Sequence, residues 1–147
     1  MPSIVDYARF AANAYAVSRD VVKMENEISI PSGWSLLEER NIPATGFLAR
    51  AYKNDATGEI VIAYAGTTFE DGMKAADWMN GNIPAGTGFG LGGQVADAAK
   101  FYLDILSAPG NANAQISFTG HSLGGGLASL MAVYFNRPAE TFDQAPF

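Results

Sequence analysis

The feature that most constrains the fold is a run of small and apolar residues, 116–133, that reads ISFTGHSLGGGLASLMAV. Its apolar, β-branched start predicts a short buried strand, and its end, rich in leucine and alanine, predicts a helix. Between them, residues 120–124 fit the pattern G-x-S-x-G, which forms a nucleophile elbow when it joins a strand to a helix. The two glycines allow a turn tight enough to strain Ser122, which is therefore the candidate nucleophile.

A glycine-rich turn between a strand and a helix can instead bind a phosphate group. The segment lacks the Lys-Ser or Lys-Thr ending of a P-loop and the G-x-G-x-x-G spacing of a dinucleotide site. The sequence therefore favours the elbow over a phosphate site.

Three blocks in a fixed order carry a resemblance to a known family. The segment FTGHSLGGGLASLMA resembles the elbow of the class three lipases in the α/β-hydrolase superfamily. Residues 60–67, IVIAYAGT, resemble a strand of that family that ends in a G-S/T pair, and Asp77-Trp78 resembles its D/N-W pair. The resemblance covers roughly residues 45–145 and implies hydrolysis of carboxylic esters of lipids, such as acylglycerols, or of small esters.

The elbow and the resemblance together predict the parts of an ester-hydrolysing site. Ser122 would attack the carbonyl, and the N–H of Leu123 would donate to the oxyanion. By resemblance, Thr67 supplies the second oxyanion donor and Asp77 braces the loop that carries it. The alternative for Thr67 is a threonine at a strand end that satisfies its own turn.

The catalytic base is missing from this pattern. The α/β-hydrolase triad runs Ser, Asp, His along the chain, but the single histidine, His121, precedes Ser122. Adjacent side chains in such a turn diverge, so His121 is expected to be a packed residue rather than the base. Asp143, at the end of the last predicted strand, is a weak candidate for the acid. The explanation that we favour for the missing base is that this chain is the N-terminal portion of a longer enzyme. One alternative is a non-catalytic binding module on a degenerate hydrolase fold, and another is a second chain that completes the site.

The remaining elements predict one α/β domain over residues 1–147, with a partial α/β-hydrolase-like, mixed and mostly parallel sheet flanked by helices. Residues 34–37 are a short strand or a packed turn, and segment 68–80, in a glycine-rich stretch, is a lid or a surface loop. The first helix is expected to cover the sheet edge, and the first two confident strands are expected to form an antiparallel hairpin. We predict helices at 4–17, 94–106 and 123–135 and strands at 46–52, 59–65, 115–119 and 139–142.

Composition limits the partners. The net charge of −6 and the lack of a basic run argue against nucleic acid and anionic membranes. The chain has no cysteine and a single histidine, so we predict no disulfide, metal or cofactor. The first 20 residues do not resemble a signal peptide, which predicts a cytoplasmic protein or one secreted without an N-terminal signal. An apolar sheet edge left open after the last strand predicts a homodimer or a retained C-terminal portion.

Overall fold

The computed structural model describes residues 1–16, 28–66 and 91–144. Its helices and strands agree with most of the predicted elements to within about three residues at either end. In chain order they are α1 (Ile4–Asn13), β1 (Trp34–Ile42), β2 (Phe47–Asn54), β3 (Ile60–Tyr64), α2 (Leu91–Ser107), β4 (Ile116–His121), α3 (Leu123–Phe135) and β5 (Ala139–Phe142).

The five described strands form one sheet in the order β1-β2-β3-β4-β5. β2 pairs with β1 and β3 in antiparallel fashion, which confirms the predicted hairpin between β2 and β3. β3, β4 and β5 pair in parallel, so β2 alone runs against the other four strands. The expected mixed, mostly parallel sheet flanked by helices is confirmed.

Strand β3 shows how the sheet buries both of its faces. All of its residues are buried, as expected for a parallel strand covered on both sides. Ile60, Ile62 and Tyr64 pack in a cluster with residues of α2 and α3. Val61 and Ala63 point the other way, into a second cluster with residues of α1. The sheet is therefore the middle layer between α1 on one face and α2 and α3 on the other.

Helix α1 covers a face of the sheet and not its edge, which corrects the sequence-based expectation. Its buried residues Tyr7, Phe10 and Ala14, the last in the 3-10 turn Ala14–Ala16 that continues the helix, pack on the inner strands. The helix begins with a capping box, in which Ser3 and Asp6 satisfy each other's backbone N–H groups. The apolar residues at helical spacing in α1 therefore form the side of the helix that packs on the face of the sheet.

Strand β1 is the element whose extent the sequence described least well. The sequence left 34–37 open between a strand and a turn, whereas β1 continues through the polar residues 38–41 to Ile42. An edge strand is exposed along most of its length, so it lacks the apolar alternation that marks a half-buried strand. The predicted lid, segment 68–80, lies outside the described residues. In the part of the chain that is described, no helix is both long and apolar enough to cross a membrane.

Candidate active site at the end of strand β4

The turn between β4 and α3 holds Ser122 in a rare backbone conformation. Its φ of 54° and ψ of −125° lie outside the regions that residues with a side chain normally occupy. Such a conformation costs on the order of 1–3 kcal/mol and persists only when the surrounding structure enforces it. The predicted strand, strained serine and helix are therefore all present in the order of a nucleophile elbow.

The glycines beside Ser122 are required by close backbone contacts. A Cβ on Gly120 would lie 2.2 Å from the carbonyl oxygen of Gly124. A Cβ on Gly124 would lie 2.1 Å from the carbonyl oxygen of Tyr64, in the neighbouring strand β3. The first contact closes the turn on itself, and the second presses the start of α3 against the end of β3.

Hydrogen bonds to the backbone of Ser122 keep this turn in place. Its N–H donates to the carbonyl of Phe142 at the end of β5 (3.1 Å), and its carbonyl accepts from Gly126 N–H (3.1 Å). Ser122 is the N-cap residue of α3, yet its hydroxyl does not accept a bond from the first turn. Ser122 is a partly exposed residue, and its hydroxyl is not used for capping, as a nucleophile requires.

The helix behind Ser122 places donors and a favourable field at the same spot. Leu123 is the first residue of α3, and N–H groups in the first turn of a helix have no partner within the helix. The positive end of the helix dipole points the same way and favours negative charge. This position suits the oxyanion role that the sequence predicts for the Leu123 N–H.

The hydroxyl of Tyr15, which the sequence did not single out, joins two segments at this end of the sheet. It accepts a hydrogen bond from the N–H of Gly66, just after β3 (3.0 Å). It also donates to the carbonyl of His121, the residue before the candidate nucleophile (3.2 Å). Burial raises the pKa of Tyr15 above its ordinary value, although the bond from Gly66 acts in the opposite direction. The phenol therefore stays protonated, and able to donate, at neutral pH.

His121 lies on the surface beside the last strand of the described sheet. Half of its side chain is exposed, and its Nε2 lies 4.0 Å from a carboxylate oxygen of Asp143, whose side chain is 93% exposed. Asp143 has a positive φ of 44° where the chain leaves β5. The structure thus brings Asp143 close to His121, as a solvent-exposed pair next to the elbow.

Gln144 is a second neighbour of the elbow that the sequence did not indicate. Its side-chain oxygen accepts hydrogen bonds from the hydroxyls of Ser129 in α3 (2.8 Å) and Thr141 in β5 (3.2 Å). Its backbone lies over Gly125, where an added Cβ would be 3.4 Å from the Gln144 Cα. The sequence could not predict these contacts of Gln144, because the two hydroxyls that bond to it belong to two other elements, α3 and β5.

Several predicted site residues fall outside the part of the chain that is described. Thr67, Asp77 and Trp78 are among them, so the second oxyanion donor and its brace stay predictions. Gly66, which directly precedes Thr67, is described and buried close to the elbow. An added Cβ there would lie 3.7 Å from both the Gly124 nitrogen and the His121 oxygen. Within residues 1–16, 28–66 and 91–144, no three His, Cys, Asp or Glu side chains form a group that could hold a metal ion.

This fold is similar to the α/β-hydrolase fold of lipases. The chain is similar to Lip2 lipase from Yarrowia lipolytica, with 19% identity and a TM-score of 0.59 over 95% of this chain and 56% of Lip2. It is also similar to the lipase from Rhizopus microsporus var. chinensis, with 20% identity and a TM-score of 0.58 over 95% of this chain and 55% of that lipase. The chain thus spans little more than half the length of these lipases.

A family match narrows this class. Residues 6–146 match the phospholipase-like family described as the Tle-like phospholipase domain, and the chain belongs to that family. No curated protein sequence matches the chain. The chain is therefore a member of a phospholipase-like family, with a fold similar to that of lipases.

Proposed function

We propose that this chain contributes the nucleophile and the oxyanion donors of a serine hydrolase that cleaves carboxylic esters of lipids. The observation that carries the proposal is the strained Ser122 at the start of α3, with φ 54° and ψ −125°. A strain of this kind is retained where it serves a function. Family membership favours phospholipids, and the likeness to lipases favours acylglycerols as the other substrate class.

The reaction would follow the serine-hydrolase sequence. A base takes the Ser122 proton while Oγ attacks the ester carbonyl, and the oxyanion accepts hydrogen bonds from Leu123 N–H and from Thr67. The intermediate then collapses, the base gives its proton to the departing alcohol, and the acyl group stays on Ser122. Water, deprotonated by the same base, releases the fatty acid and restores the serine.

We propose that the base comes from outside these 147 residues. His121 is the sole histidine, and its half-exposed ring is paired with the exposed Asp143. His121 is the last residue of β4 and Ser122 lies in the turn that follows, so we expect their side chains to diverge. The histidine, and the aspartate unless Asp143 serves as the acid, would be supplied by further sequence or by a second chain. Asp143 remains the candidate acid within this chain.

The experiment supplies imidazole as a diffusible base in place of the missing catalytic base. Hydrolysis of p-nitrophenyl butyrate by the 147-residue chain is measured with and without imidazole, and the rate of Ser122→Ala under the same conditions is subtracted. We expect imidazole to raise the Ser122-dependent rate on the order of tenfold. A positioned general base accelerates such a reaction about 10²–10⁴-fold, and a diffusible base recovers a part of this acceleration. Equal rates for the chain and Ser122→Ala would contradict the proposal.

A segment that supplies the aspartate and histidine should have a larger effect. Joined to the chain or added separately, it should raise the rate at least about a thousandfold, because a complete triad exceeds the residual catalysis of an oxyanion hole by several orders of magnitude. Ser122→Ala should abolish the gain. Segment 68–80, as a predicted lid, should make the completed enzyme prefer aggregated, long-chain esters.

The second candidate is a binding module that uses a degenerate hydrolase fold. It is favoured by the observation that the single histidine of the chain, His121, directly precedes Ser122 and is half exposed, rather than following the serine as a triad histidine does. Co-sedimentation of Ser122→Ala with phosphatidylcholine vesicles, in the absence of any Ser122-dependent turnover, would support this alternative.

A further inference from the structure

The hydroxyl of Tyr15 occupies the space that a side chain at position 66 would fill. An added Cβ on Gly66 would lie 2.8 Å from the Tyr15 oxygen, but 3.7 Å from the Gly124 nitrogen and the His121 oxygen. The last two distances are ordinary van der Waals contacts, so among the described residues it is the Tyr15 hydroxyl that would have to shift to admit a side chain at position 66. Glycine at 66 and tyrosine at 15 therefore form a matched pair.

The two bonds of this hydroxyl connect segments that are distant in the sequence. One comes from Gly66 N–H (3.0 Å) and the other goes to the His121 carbonyl (3.2 Å). Thr67, the predicted oxyanion donor, follows Gly66 in the sequence, and Ser122 follows His121. A single oxygen atom therefore links the backbone immediately before each half of the proposed site.

We infer that Tyr15 is a positioning residue, whose hydroxyl fixes the end of β3 at a set distance from the nucleophile turn. The inference rests on the proposed function, because the spacing matters only if the two segments act on one oxyanion. Oxyanion donors must lie about 2.7–3.1 Å from the developing charge, and displacement by 1 Å can reduce the rate by 10²-fold. Removing the link should slow the chemical step more than it weakens substrate binding.

Tyr7, in α1, provides a matched control for Tyr15, which lies in the 3-10 turn that follows this helix. Its hydroxyl donates to the Ser117 hydroxyl in β4 (2.9 Å), and burial, the largest of several influences, raises its pKa as it does for Tyr15. Ser117 precedes Ser122 by five positions along β4, which is roughly 16 Å at the usual rise of a strand. Tyr7→Phe thus removes a comparable bond between α1 and β4 far from the proposed site.

The test measures kcat and KM for p-nitrophenyl butyrate in the presence of imidazole. Tyr15→Phe should lower the Ser122-dependent kcat about 10- to 100-fold and change KM less than about twofold. Tyr7→Phe should leave both within about twofold. Gly66→Ala should lower kcat like Tyr15→Phe, and should cost much less when added to Tyr15→Phe, because both changes break one link.

Amide hydrogen exchange tests the link without catalysis. In Tyr15→Phe the Gly66 N–H should exchange at least about tenfold faster, whereas the adjacent Ala65 N–H, which donates to the Leu48 carbonyl (3.0 Å), should stay protected. Unchanged exchange at Gly66, or wild-type kcat in Tyr15→Phe with a rate that still depends on Ser122, would overturn the inference. A rate that does not depend on Ser122 would instead show that the proposed function fails.

Discussion

Gly124 shows how strongly one position depends on a neighbouring strand. Gly124→Ala would place a Cβ 2.1 Å from the Tyr64 carbonyl, so α3 and β3 must separate. We expect a loss of at least about 2–3 kcal/mol in the free energy of unfolding, measured by urea denaturation. Gly92→Ala in α2 is the control, because a Cβ there meets no atom of the described residues within 4 Å, and it should not destabilise the protein, since alanine favours a helix more than glycine does. Equal stabilities of the two variants would contradict this account.

Tyr15 should make the protein less stable at alkaline pH. Burial raises its pKa in the folded state, so its contribution to stability is fully present below the unfolded pKa of about 10 and is lost as pH rises through the folded pKa. Tyr15→Phe should therefore show a shallower decline of unfolding free energy above about pH 10. Tyr7 and Tyr64 keep titrating in that variant, since burial also raises their pKa values. If the unfolding free energy of Tyr15→Phe declined as steeply with pH as that of the wild type, the prediction that Tyr15 has a raised pKa in the folded state would be wrong.

At the scale of the element, the capping box at the start of α1 stabilises this helix. Ser3 accepts a bond from Asp6 N–H (3.2 Å), and the Asp6 carboxylate accepts one from Ser3 N–H (3.0 Å). Ser3→Ala should cost about 1 kcal/mol of unfolding free energy, whereas Ser3→Thr, which keeps the hydroxyl, should cost a few tenths. Thermal unfolding followed by circular dichroism checks this, and a Thr variant as unstable as the Ala variant would refute it.

At the scale of the whole molecule, the described sheet ends at β5, which pairs with β4 alone. Helix α3 packs beside this edge and leaves Val133 (83%) and Tyr134 (77%) largely exposed. Open strand edges and exposed apolar side chains both promote association. We predict that the chain self-associates at tens of micromolar concentration, measured by sedimentation velocity.

The same experiment on variants locates the associating surface. Val133→Lys with Tyr134→Lys should shift the chain toward monomer, because charges oppose burial of this surface. Leu103→Lys, at a leucine that is 48% exposed on α2, should not. A wild-type chain that sediments as a monomer at every concentration would contradict the predicted self-association.

The sequence by itself determined the local elements and the kind of turn at Ser122. A strand of apolar residues, two glycines around a serine and a run of helix-forming residues act over a few positions, so their order alone predicts the elbow between β4 and α3. The sequence did not predict the full length of β1, because an edge strand buries few of its side chains and therefore needs no alternation of apolar and polar residues. The role of Thr67 stays a prediction.

Only the tertiary structure decided what surrounds that turn. The Tyr15 hydroxyl bonds to partners 51 and 106 positions away, and the Gly124 backbone at the start of α3 lies against the Tyr64 carbonyl at the end of β3. In the apolar pattern of the predicted helix 4–17, Tyr15 resembles any other core residue, and only the packed structure brings Gly66 and His121 to its oxygen. Such contacts depend on how separate elements pack, so the pattern of residues along one element does not predict them.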